Sequence, residues 1–139
     1  MPRLLIFVPC EKVVVGQDGS LHLISVLESW KVSLVEVPQS VPENAAVAMR
    51  WDIFTLWHRL PGDEEKEFVQ TCDLIAPSGQ IAFTSELSFR MTALTHRNTV
   101  NVFGMPISPG DYEVVLYLSE KGAEKDRSRI SVYPLRVLA

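Results

Sequence analysis

The chain has 139 residues, 47% apolar and 22% charged, with 13 basic against 17 acidic side chains and a formal net charge of -4. That length suits one domain, residues 1–139, which buries roughly two thirds of its unfolded surface without disulfide or metal staples, and the composition excludes a disordered chain. The acidic balance removes the general electrostatic attraction that drives nucleic-acid binding, so no nucleic-acid partner is expected.

The opening MPRLLIFVPCEKVVV holds a short apolar run, which Pro9, Glu11 and Lys12 interrupt before it could form a signal-peptide core or a membrane span. A cytoplasmic location without a membrane partner is expected, with Cys10 and Cys72 as packed thiols in a reducing compartment. Hydrophobic periodicity is two almost everywhere. Strands are predicted over residues 3–9, 12–16, 20–28, 30–37, 47–60, 67–76, 80–91, 98–107, 111–119 and 129–138.

In QIAFTSELSFRM, Ile81, Phe83, Leu87, Phe89 and Met91 share one face; in DYEVVLYLS, Tyr112, Val114, Leu116 and Leu118 do the same. EFVQTCDLI aligns Phe68, Cys72 and Leu74, which places Cys72 in the core. Turn residues stand between these runs at Gln17–Ser20, Pro77–Gln80 and Pro109–Asp111. The charged runs GDEEKE (62–67) and EKGAEKDRSR (120–129) read as solvated hairpin tips, and only 43–49, after Pro42, could hold a helical turn.

Many short strands and no long amphipathic helix argue for an all-β fold, an immunoglobulin-like antiparallel β-sandwich of Greek-key type. P-G-D-Y-E-V supports it: Tyr112, entering a late strand after a glycine turn, stands where such sandwiches place a corner tyrosine bonded to nearby backbone. Val114 occupies the position where antibody domains carry a cysteine, so their inter-sheet disulfide is not expected.

FVPCEKVVVGQDGSLHLISVLES, FGMPISPGDYEVVLYL and the closing YPLRV together resemble a family of small bacterial proteins known as a domain of unknown function. The resemblance spans most of the chain and rests on strand-and-turn patterning. It implies a stand-alone β-sandwich and transfers no activity, cofactor or binding residue.

Catalytic signals are sparse. His22, His58 and His96 lie far apart and the cysteines lack Cys-x-x-Cys spacing, so no sequence-local metal site is expected. Gly-x-Ser-x-Gly and Ser-x-x-Lys patterns are missing, and the glycines are scattered singly rather than grouped in a phosphate loop. Asp52, Asp73, Glu86 and Glu113 alternate onto presumed solvent faces, where single carboxylates are normal. No cofactor and no catalytic residue is assigned.

Two stretches stand out. In AVAMRWDIFTLWHRL, Val47, Met49, Trp51, Ile53 and Trp57 form one apolar face, yet Phe54 and Leu56 put apolar bulk on the other, between Asp52 and His58. Either a neighbouring segment such as the N-terminal strand covers the pair, or they belong to an interface. In TALTHRNTVNVFGMPI, residues 92–107, Thr95, His96, Arg97 and Asn98 fall where one strand's alternation gives way to the next. They read as a structural crossover tied by side-chain-to-backbone bonds, with a ligand site at His96, Arg97 and Asn98 as the weaker alternative.

The functional expectation is a non-enzymatic module that binds another protein or a second copy of itself, a homodimer included, with Phe54, Leu56 and His58 as interface residues. The alternative is a small-molecule or carbohydrate-binding protein, or an uncatalogued hydrolase. It would use Trp30, Trp51 or Trp57 as a stacking platform and His58, His96 and Arg97 as polar anchors.

Overall fold

A computed structural model describes residues 1–31, 42 and 44–139. Among the described residues there are nine strands: β1 (Arg3–Val15), β2 (Leu21–Val26), β3 (Ser29–Lys31), β4 (Ala46–His58), β5 (Glu67–Ile75), β6 (Ile81–Arg90), β7 (Thr95–Pro106), β8 (Gly110–Glu120) and β9 (Ser128–Leu138). They form two sheets, ordered β2-β1-β4-β7 and β3-β9-β8-β5-β6. Every pairing is antiparallel except that of β3 with β9. The chain is an all-β sandwich, as the period-two patterning requires.

The sheets meet through alternate residues. Trp51, Ile53 and Trp57 of β4, Val100 and Val102 of β7, Phe68, Cys72 and Leu74 of β5, and Val114, Leu116 and Leu118 of β8 form one buried cluster. Cys72 lies in it, where the alternation of EFVQTCDLI put it. Tyr112 is also in the core, and its hydroxyl donates to the Ser108 carbonyl at 2.9 Å, which is the expected corner bond at the entry to β8. The first part of the chain serves both sheets, β1 in one and β3 beside the last strand in the other.

Four local expectations change. The strands expected at 3–9 and 12–16 are one strand, β1, which ends at Val15 and continues through the Pro9–Lys12 interruption because Cys10 still pairs with both Asp52 and Val26. The helical turn at 43–49 does not form over its described part: Ala46–Met49 is the start of β4, and Glu43 lies outside the described residues, as do residues 32–37 of the strand expected at 30–37. Residues 62–67 join strands of different sheets rather than closing a hairpin, whereas 120–129 does close the β8–β9 hairpin and includes one 3₁₀ turn, Glu124–Asp126. Finally, Thr95–Asn98 is not a crossover. It is strand, with Thr95 beside His58, His96 beside Trp57, Arg97 beside Leu56 and Asn98 beside Thr55.

Replacing Tyr112 with Phe removes the corner hydrogen bond and leaves the ring in the core. The expected cost is about 1 kcal/mol, read as a lower urea midpoint with an unchanged m-value.

Candidate functional site

Between the sheets, one side-chain oxygen collects three donors. Gln70 of β5 points into the core, and its Oε1 accepts from Thr55 Oγ1 at 2.7 Å, Trp57 Nε1 at 2.9 Å and Asn98 Nδ2 at 3.1 Å. The amide nitrogen of Gln70 faces Cys72 Sγ at 3.9 Å. His96 extends the chain outward: its Nε2 lies 2.8 Å from Asn98 Oδ1, and its ring stacks on Phe89 with centroids 4.9 Å apart. β4 and β7 of one sheet are thereby bonded to β5 and β6 of the other by side chains alone. Buried polar groups are tolerable only when so paired.

His96 and Asn98 therefore act within the core, and Arg97, on the opposite face of β7, does not join them. Its guanidinium donates to the Gly19 carbonyl at 3.1 Å, at the tip of the β1–β2 hairpin. The three residues do not converge on a common ligand position. They divide into an inward pair and an outward tether.

That tether fixes the hairpin. β1 pairs with β4 as far as Cys10 opposite Asp52 and then leaves the ladder, and the Val13 N–H donates to Asp52 Oδ2 at 3.0 Å. Continuing the register would set Val15 beside Val47, nine residues along β4 from Leu56, the neighbour of Arg97. At about 3.3 Å per residue this is about 30 Å from the observed contact. The hairpin has instead folded back across the outer face of β4. At the bend, Glu11 and Ser25 drop out of the β1–β2 ladder, and Ser25 takes φ 54°, the only positive φ at a non-glycine residue among the described residues.

The ties at Asp52 and Arg97 bracket Phe54, which is 0% exposed and absent from the inter-sheet cluster. Phe54 therefore does not present an open interface: its bulk is covered within the chain. Leu56 and His58, on the same face, are half-buried. Asp52 and Asp73 are buried as well, contrary to the solvent-facing expectation. Asp73 accepts from Thr84 at 2.9 Å and lies 3.8 Å from Arg127, whose guanidinium covers the Tyr117 ring.

Trp51 and Trp57 are enclosed in the core, their indole N–H groups bonded to the Gly104 carbonyl at 2.9 Å and to Gln70. Neither can act as a stacking platform in this structure. At the hairpin tip Ser20 Oγ lies 2.5 Å from Asp18 Oδ1 and 3.1 Å from His22 Nε2. These residue types suggest a hydrolytic triad, but the serine sits between acid and imidazole, whereas a triad needs the imidazole in the middle to take the serine proton. Among the described residues no three His, Cys, Asp or Glu side chains group as metal ligands, and no helix is long and apolar enough to cross a membrane.

The surface feature that sequence reading missed is at the other end of β7. Phe103 is 76% exposed, with the Arg50 guanidinium 6.0 Å above its ring. Beside it a cleft of about 300 Å³ opens between the sheets, lined by Leu74, Ala82, Phe83, Val102 and Gly104. Its mouth lies between β6 and β7, each at the end of its sheet order. The available signal was phase: Phe103 shares the parity of Arg97, Thr99 and Asn101, not that of Val100 and Val102.

Gln70→Leu strands three buried donors and is expected to cost on the order of 3 kcal/mol; Asn98→Ala is expected to cost about 2 kcal/mol, and Arg97→Ala under about 1 kcal/mol because its bond is exposed. Urea titration of the three variants reads this ranking.

Burial first, and then the Asp73 charge, pushes the Cys72 thiol up to about 12; burial and then Asp52 raise Cys10 to about 11, from an ordinary 9.0, against a smaller lowering by the Lys12 backbone. Folding then holds both protons more tightly than the unfolded chain does. The associated stability is complete below about pH 9 and falls as pH rises towards 11 and 12. Between pH 8.5 and 11, a Cys10→Ala/Cys72→Ala double variant is expected to lose less stability than the parent in paired denaturation curves.

No family model matches the chain, and no curated protein matches it either.

Proposed function

We propose that the protein is a non-enzymatic binding module that recognises an extended protein segment at the open edge between β6 and β7. The observation that carries this reading is Phe103, a largely exposed aromatic side chain at the rim of an apolar cleft and on an edge strand. An edge strand offers unpaired backbone donors and acceptors to an incoming strand, and a side-chain pocket beside it supplies selectivity.

The outward row of β7 (Thr95, Arg97, Thr99, Asn101, Phe103) is mostly polar, and the cleft holds one or two side chains. Stable homodimers are built on larger apolar surfaces than this. A partner segment therefore fits better than a permanent second copy, and self-association takes second place. The occupant expected is a short extended stretch with an apolar anchor. A cytoplasmic setting and the resemblance to the bacterial family of small stand-alone sandwiches agree with such a role and remain part of the proposal.

Phe103 can be changed without touching the core. Phe103→Asp is expected to keep the parent melting temperature within a few degrees and to lower affinity for captured or library-selected extended peptides at least tenfold, measured by fluorescence anisotropy. Equal peptide affinity in parent and variant would remove the edge from consideration, and a concentration-dependent dimer in sedimentation that the substitution abolishes would move self-assembly ahead.

A further inference from the structure

We propose that the β1–β2 hairpin is a flap that opens as a unit from the sandwich, hinged at Cys10–Lys12 on one strand and Ser25–Leu27 on the other. This goes beyond the edge-binding reading and does not depend on it.

Burial supplies the first argument. From Glu11 to Val26 no residue is fully buried, and Val15, Ile24 and Val26 are about half exposed, whereas Cys10 and Phe54 beneath are 0% exposed. An element with so little buried apolar surface opens at lower free energy than the core it rests on. Connectivity gives the second. Past Cys10 the hairpin has no backbone ladder to β4; among the described contacts the bond from Val13 to Asp52 and the bond from Arg97 to Gly19 hold it at its two ends.

The hinge itself favours release. Ser25 holds a left-handed conformation that L side chains adopt at a cost. Asp52 is 1% exposed, yet among the described residues its Oδ1 has no hydrogen-bond partner, and Arg50 Nε lies 3.7 Å from it. Lifting the flap returns that carboxylate to water, which lowers the penalty of burying a charge. Re-exposure of Phe54 opposes opening, so the closed form is the resting state. Opening uncovers Phe54, Leu56 and Asp52 as a new face with an apolar centre and an acidic end.

The two cysteines provide the test. Cys10 lies at the hinge and Cys72 in the inter-sheet core, and both are free thiols. The full chain is treated with N-ethylmaleimide in native buffer, each site is followed by mass spectrometry, and rates are normalised to those in urea. Flap opening predicts Cys10 labelling at least tenfold faster than Cys72, and a further several-fold rise at Cys10 alone in Arg97→Ala with a melting temperature lowered by no more than a few degrees. Hydrogen exchange is expected to show residues 13–15 and 21–26 exchanging ahead of β4 and β7. A single shared labelling rate overturns the proposal, as does a Cys10 rate that Arg97→Ala leaves unchanged or slow exchange throughout the hairpin.

Discussion

Gln70 Oε1 is the point on which the two sheets agree. Hydrophobic packing between sheets is non-directional and tolerates small slides; three hydrogen bonds converging on one oxygen do not. Thr55 and Trp57 reach it from β4 and Asn98 from β7, so the register of that pair and its placement over β5 are specified together. A slip of one residue in either strand would turn its contributing side chains to the opposite face. It would also leave buried donors without acceptors, a larger penalty than a lost methylene contact.

The same network explains why β7 carries His96 and Asn98 where an apolar pair would be expected. Next to Gln70 an apolar side chain would remove the Asn98 bond through which β7 shares the amide oxygen with β4, and next to Phe89 the imidazole supplies a flat stacking face. Arg97 between them points to the other side and reaches the hairpin. Three consecutive polar residues thus act on both faces of one strand, two holding the sheets together and one holding the β1–β2 hairpin down.

The fold was legible in the sequence wherever apolar residues mark the inward positions. QIAFTSELSFRM, EFVQTCDLI and DYEVVLYLS read as strands because burial and hydrophobicity coincide there, and Tyr112 after Pro109–Gly110 announced its corner. Thr95–Arg97 did not read as strand because the inward residues there, His96 and then Asn98, are polar, which erases the alternation although the geometry is unchanged. Phe54 was legible as an anomaly but not as a covered residue. Its cover depends on a contact between Gly19 and Arg97, 78 positions apart, and no local pattern encodes that. Asp52 and Asp73 failed for a related reason: alternation correctly puts them on outer faces, but those faces are overlaid, one by the hairpin and the other in part by Arg127. Phe103 was visible in phase and lacked only the knowledge that β7 lies at an edge.

An exposed edge strand is an aggregation hazard unless it is shielded, and β6 and β7 differ in how they meet that requirement. β6 carries Glu86 and Arg90 on its outward row, and Arg90 is held to Glu67 at 3.3 Å, so another strand must approach past fixed charge. β7 has a single outward charge, Arg97, which is itself engaged with Gly19, and a proline at its end, Pro106. The stretch from Thr99 to Phe103 is uncharged. Shielding is therefore weakest over those five residues, beside the cleft and the 76% exposed aromatic ring. A sandwich under pressure only to stay monomeric would place Lys or Glu there, at little cost to the core. The uncharged window, Thr99 to Phe103, is therefore the part of the edge with the fewest barriers to another strand, and it is where the proposed extended segment would pair beside Phe103.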